Sequence, residues 1–372
     1  MKENNLKILL IDTSYPINSR NHRIIDSLKH EFGEENVRYA TWNRNEIKIN
    51  ELDIQNFFFN KKATLGNKFQ KLKELFAFRK FIKNSINVFN PNVIIASHWD
   101  SLILSNKYKK SGSLLIYENL DIPTGNIIIR KVIKTLEKRA LKRVDAIVYA
   151  SRFFQPLYED FKGNQIILEN YVSDNIANYK TNNQKDQSNY LTITYNGTVR
   201  YPETFINIFN AIGNLDFVKL KVYGYLVGKD GEKIYESAKK FSNIEFYGGY
   251  NYKEIPEIYY QTDLIWAVYP SDDYNVKYAI SNKFHESIYF EVPGIFAANT
   301  KLGEMVNSLD IGIEVDAYNV EKIRDTIKDL SKNKLEYLLK FKENIKKYKV
   351  DKEVLWSRNV VKLINYIKDS IK

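Results

Sequence analysis

The chain has 372 residues, no cysteine and a formal net charge of +11 at pH 7. Its length exceeds what one hydrophobic core covers, so two domains are expected, and its 44% apolar content excludes a disordered chain. The lack of cysteine excludes a disulfide scaffold, thiolate metal ligands and a cysteine nucleophile, while the positive charge favours an acidic partner: a phosphorylated substrate, an anionic membrane face or nucleic acid.

The run Leu6 to Ile11, broken only by Lys7, reads as a strand covered on both faces. It is too short for a signal peptide, and no apolar run reaches membrane-spanning length. A cytoplasmic protein is expected, peripheral at most on the inner face of the cell membrane. A helix from about His22 to Phe32 and a strand from Asn36 to Trp42 complete an opening β-α-β unit, the start of a doubly wound sheet. The glycine-rich dinucleotide fingerprint is missing after the first strand, which argues against a dehydrogenase.

From Lys61 to Asn87 the sequence is basic and amphipathic, with Leu65, Phe69, Leu72, Phe76 and Ile82 at near-helical spacing. Two readings are open: a helix docked on an anionic membrane surface, or a surface helix with its apolar stripe on the core and its lysines in water. Strands follow at 92–97 and 113–117, then a helix over Ile129–Arg143, a strand over 146–150 and a short one near 166–170. His98, Glu118 and Asp121 collect just past strand ends, where open α/β sheets place ligands.

Tyr179 to Tyr190 is polar and without periodicity, the best linker in the chain. A second alternation then begins with the strand Leu191–Tyr195 and the loop Asn196-Gly197-Thr198-Val199-Arg200. Strands ending at Gly224 and Gly248 alternate with helices up to the strand before Pro270, and helices close the chain, the last over Trp356–Ile371. A helix beginning near Ser281, capped by Ser281 or Asn282, aims free N–H groups and a positive dipole end at whatever precedes it; Lys283 adds a full charge. That combination suits a diphosphate. Glu286, one turn on, projects from the same face and suits a ribose diol. Asp272-Asp273 lacks the spacing of a divalent-metal motif and the four histidines are scattered, so no metal site is expected.

Six segments in order resemble the GT-B glycosyltransferases, in their family-4-like and glucuronosyltransferase-like branches of bacterial polysaccharide type. They are Tyr195 to Arg200, Val222-Tyr-Gly224, the run from Ile244 through Tyr250 to Asp263, Ser281-Asn-Lys283-Phe-His-Glu286, Asp145 to Ser151, and Glu169-Asn170. The resemblance implies two Rossmann-like β/α/β domains facing a central cleft: 1–175 binding the acceptor, and 176–351 binding a nucleotide-sugar donor, with 352–372 packing back on the first. It implies no cofactor beyond the donor substrate, a UDP- or GDP-sugar, and a glycan or lipid-linked acceptor in cell-surface polysaccharide synthesis. Nucleic acid is not expected as a partner, since no module for it is apparent. By resemblance, Arg200 and Lys283 face the diphosphate, Gly197 and Gly224 let the backbone approach it, Tyr250 flanks the base, and Ser281, Asn282 and Glu286 complete the donor site. Asp121 matches the base of inverting relatives, with Glu118 and His98 as alternatives. Retaining relatives carry a glutamate where this chain has Tyr278, and the stereochemistry stays open. Alternatives are a GT-B-fold epimerase, a non-catalytic sugar-nucleotide binder and, further off, a basic nucleic-acid-binding protein.

Overall fold

The computed structural model describes residues 6–62, 68–177, 190–350 and 352–371, leaving the side chains at 52 and 68–72 undescribed. The chain divides into two compact units, Met1–Glu169 with Val360–Lys372, and Asn170–Asn359.

In the first unit, strands β1 (Ile8–Asp12), β2 (Val37–Asn43), β3 (Phe57–Asn60), β4 (Val93–Ser97), β5 (Leu114–Asn119), β6 (Ala146–Tyr149) and β7 (Asn164–Ile167) form one sheet. Their order is β3-β2-β1-β4-β5-β6-β7 and every pair is parallel. Parallel strands need crossovers, supplied in part by helices α1 (Ser19–Phe32), α2 (Lys68–Phe89), α3 (His98–Ser105) and α4 (Ile127–Leu141). Ile8–Ile11 and Val93–Ala96 are buried at every position, as strands covered on both faces must be. The sequence reading has no counterpart for β3 or α3. β3 is four residues of an edge strand, and α3 starts directly from β4.

Along α2, Phe78, Ile82, Ile86 and Phe89 are buried, and the Phe78 ring stacks on Trp42 of β2 at 5.4 Å. Within the described part of 61–87, Phe78, Ile82 and Ile86 thus face the core of the unit. Phe76, expected in the apolar stripe, is 60% exposed. The side chains of Leu65, Phe69 and Leu72 lie outside the described residues, as does the expected linker from Tyr179 apart from Tyr190.

In the second unit, α5 (Asp174–Ala177) precedes strands β8 (Leu191–Asn196), β9 (Val218–Tyr223), β10 (Ile244–Gly248), β11 (Leu264–Ala267), β12 (Gly294–Ala297) and β13 (Gly312–Val315). The order is β10-β9-β8-β11-β12-β13, again all parallel. Helices α6 (Pro202–Ile212), α7 (Gly228–Ala238), α8 (Ile255–Tyr260), α9 (Asn282–Phe290), α10 (Lys301–Ser308), α11 (Val320–Lys332) and α12 (Lys334–Val350) follow their strands in turn. The unit begins at Asn170, earlier than the boundary expected at 176. Tyr171 packs on His285 with ring centres 4.8 Å apart, and Val172 bridges to Leu355. The last helix, α13 (Trp356–Ile371), groups with the first unit from Val360 onward, and Leu363 and Ile367 on it are buried.

Candidate functional site

In the second unit the strand order reverses between β8 and β11, and open α/β sheets bind ligands beyond the carboxyl ends of such a pair. β8 ends at Asn196 with Gly197 next, the chain leaving β11 carries Tyr269, and α9 begins at Asn282. The Ser281 hydroxyl accepts from the Lys283 amide at 3.3 Å, fixing the helix start, while Asn282 is exposed. Lys283 and Glu286 are both buried on the same side of α9.

Glu286 is held in one orientation: its Oε2 accepts from Asn196 Nδ2 at 3.0 Å and from the Tyr259 hydroxyl at 2.9 Å. Lys283, 6% exposed, donates from Nζ to the Tyr269 hydroxyl at 2.7 Å and lies 4.3 Å from the centre of the Tyr195 ring. It forms no ion pair among the described residues. Keeping a desolvated ammonium beside tyrosines instead of a carboxylate is costly unless an anion is to be met. The surroundings register this charge. Burial pushes the Tyr269 phenol up, but Lys283, Ser281 and Arg200 together bring it below the ordinary tyrosine value. Burial pushes the Tyr250 phenol above its ordinary value, and the Glu286 carboxylate raises it further.

Backbone approach is set by two glycines. Gly197 has φ of 138° and a Cβ there would lie 3.1 Å from Lys283 Nζ. A Cβ on Gly224 would lie 1.7 Å from the Gly197 carbonyl oxygen, so only glycine lets the two loops touch. Arg200 is exposed, its guanidinium 4.8 Å from the centre of the Tyr201 ring. Thus Gly197, Lys283, Glu286 and Tyr250 come together, with Gly224 supporting the loop and Arg200 at its rim. Tyr195, Asn196, Tyr259 and Tyr269 were missed by sequence reasoning; a tyrosine just before Pro270 at a strand end was the available signal.

In the first unit the corresponding reversal lies between β1 and β4. Asp12, ending β1, accepts from Asn21 Nδ2 at 2.6 Å, and the same amide donates to Ser97 Oγ at 2.8 Å. Burial raises the Asp12 carboxyl above its ordinary range, opposed by His98, Asn21 and Ser14. His98 has φ of 68°, a left-handed conformation that a residue other than glycine adopts under constraint. Asp100, on the first turn of α3, accepts from Thr13 Oγ1 at 2.8 Å. Glu118 is fully buried: Arg20 Nε donates to its Oε1 at 2.6 Å and Ser97 Oγ to its Oε2 at 3.0 Å. With both oxygens committed inside the core, Glu118 suits an ion pair holding α1 to the sheet, not a base that reaches an acceptor. Asp121 lies just past β5, half-buried. Asp272 and Asp273 serve locally: Tyr318 donates to Asp272, and Asp273 Oδ1 accepts from the Asn275 amide at 2.8 Å.

No protein-family model and no curated protein sequence matches the chain. Solved structures do. Sucrose-phosphate synthase from Thermosynechococcus elongatus superposes with a TM-score of 0.75 at 12% identity over 98% of this chain and 99% of its own. HepE from Anabaena, in complex with UDP and glucose, gives 0.71 at 12% identity over 98% and 100%. The fold is GT-B. A glycosyltransferase from Rickettsia africae shares it with a TM-score of 0.68 at 14% identity, over 99% of each chain. The GT-B assignment rests on two doubly wound parallel sheets, one per unit, each with its strand order reversing at the first strand.

Proposed function

We propose that the chain is a glycosyltransferase that takes a sugar from a nucleoside-diphosphate donor bound at the start of α9 in the second unit. The observation that carries this reading is the buried, carboxylate-free Lys283 one turn from the fixed carboxylate of Glu286. Lys283 and the α9 amides meet the diphosphate, Arg200 approaches from the rim, and Glu286 receives the ribose diol. Tyr250, next to Glu286, flanks the base. As the glycosyl bond breaks, charge grows on the leaving phosphate, and cations fixed beforehand stabilise that state more than the ground state. The HepE complex with UDP and glucose, a structure of the same fold, supports a UDP donor; GDP is the other candidate.

On the first unit we assign the acceptor, a glycan or lipid-linked saccharide, with Asp121 as the base that takes the hydroxyl proton if transfer inverts. His98 remains the alternative base.

Donor-dependent release of UDP or GDP on adding an acceptor tests the reaction. The Asp121→Asn variant is expected to bind donor as before and to release no product with acceptor; full turnover by that variant would remove Asp121 from the role. Conversion of the donor without any acceptor would instead select an epimerase.

A further inference from the structure

The outer face of α4 is built unlike that of a solvated helix. Ile128, Val132 and Leu136 recur every fourth residue and are 70%, 55% and 40% exposed; Ile129, beside them, is 49% exposed. Repetition at that interval makes one continuous apolar stripe. Another face of the helix is anchored. Glu137 Oε1 accepts from the Tyr117 and Tyr158 hydroxyls at 2.7 and 2.8 Å, and Ala140 is buried. The stripe therefore points away from the core of its unit, and a rotation that hides it would break those two hydrogen bonds. The helix has one carboxylate, the buried Glu137, against Arg130, Lys131, Lys134, Lys138 and Arg139, with Lys142 and Arg143 just beyond. At 100° per residue, Arg139 falls within the stripe and Lys131 flanks it, while Lys138 and Lys134 lie farther round the helix. Lys138 is partly neutralised by Asp160 at 2.8 Å; Lys131 and Arg139 form no ion pair among the described residues.

We propose that α4 lies on an anionic lipid bilayer, with Ile128, Ile129, Val132 and Leu136 among the acyl chains and Lys131 and Arg139 at the phosphates. Long basic side chains reach up past an apolar face in this way, and a helix of this pattern stays in the interface instead of crossing it. No helix among the described residues is long and apolar enough to span. Charge complementarity chooses the occupant: a second copy seated across a two-fold axis would set one basic edge against its equal. The surface differs from the 61–87 stretch, where Phe78, Ile82 and Ile86 are buried. It begins a few residues past Asp121 in the chain, so a membrane docked there would bring lipid-linked molecules to that end of the first unit; this last point rests on the proposed function, while membrane binding itself does not.

The test is co-sedimentation of the full chain with vesicles of phosphatidylcholine alone and of phosphatidylcholine with phosphatidylglycerol, at low and high salt. The chain is expected to bind the anionic vesicles, to bind neutral ones weakly, and to be released by salt. Ile128→Asp/Val132→Asp should abolish binding, and Lys131→Glu/Arg139→Glu should lower the partition coefficient roughly tenfold or more. Both variants alter exposed side chains and should melt like the parent; if the first does not fold, the second carries the test. Undiminished binding by a folded variant would overturn the proposal. So would absence of binding by the parent chain, or a concentration-dependent dimer that Ile128→Asp/Val132→Asp abolishes. Because the assay contains no donor, its failure leaves the donor site untouched.

Discussion

Two buried charges of the chain are treated in opposite ways, and the difference separates packing from chemistry. Arg20 and Glu118 neutralise each other inside the first unit, 2% and 0% exposed, with Ser97 taking the second carboxylate oxygen. Breaking such a pair from one side strands the other charge and costs about 3–5 kcal/mol. Glu118→Ala is therefore expected to lose that amount in urea-induced unfolding of the chain, with Arg20 left unpaired. Unchanged stability together with lost turnover would return Glu118 to the list of bases. Lys283, equally buried, has tyrosines where Arg20 has a carboxylate, and a neighbouring phenol drawn below its ordinary pKa shows the ammonium's field reaching into the site. That asymmetry is what a binding site for an anion requires before the anion arrives.

At the scale of elements, helix α4 is fixed to its sheet by a carboxyl that dislikes its charge. Burial holds Glu137 above its ordinary 4.5, against the lowering by Tyr117 and Tyr158. The folded chain thus binds this proton more tightly than the unfolded chain does. The stability so gained is full below pH 4.5 and is lost as pH rises through the folded-state value. Glu137→Gln keeps an acceptor for both hydroxyls and removes the titration. The slope of unfolding free energy against pH just above 4.5 should flatten in this variant; an unaltered slope would contradict the assignment. The same scale shows what the sequence could convey. β1 and β4 were legible because burial on both faces demands an unbroken apolar run, and α9 because a serine cap, a lysine and a glutamate fall within its first turns. β3 and β13, four-residue strands at the edges of their sheets, have no counterpart in the sequence reading, and α3 opens on a left-handed His98 that no propensity anticipates. The Arg20–Glu118 pair joins residues 98 positions apart, and Asn196 meets Glu286 across 90. Contacts of that separation come from the winding of the sheets, and no local pattern carries them. Arg20 and Asn21, which precede the helix expected from about His22, are buried on α1.

For the whole molecule, two sheets with the same doubly wound order give two sets of strand ends, one per unit, and each set gathers polar side chains at its point of reversal. The second set holds the claim on which the account rests: that a nucleoside diphosphate is bound through Lys283. Calorimetric titration of the folded chain with UDP and GDP, repeated on Lys283→Met, tests it most directly. The account predicts saturable binding of at least one of the two, weakened by roughly ten- to a hundredfold in Lys283→Met, the usual worth of a hydrogen bond to a charged group. Equal affinity in the two proteins, or no binding of either nucleotide by the parent chain, would contradict it.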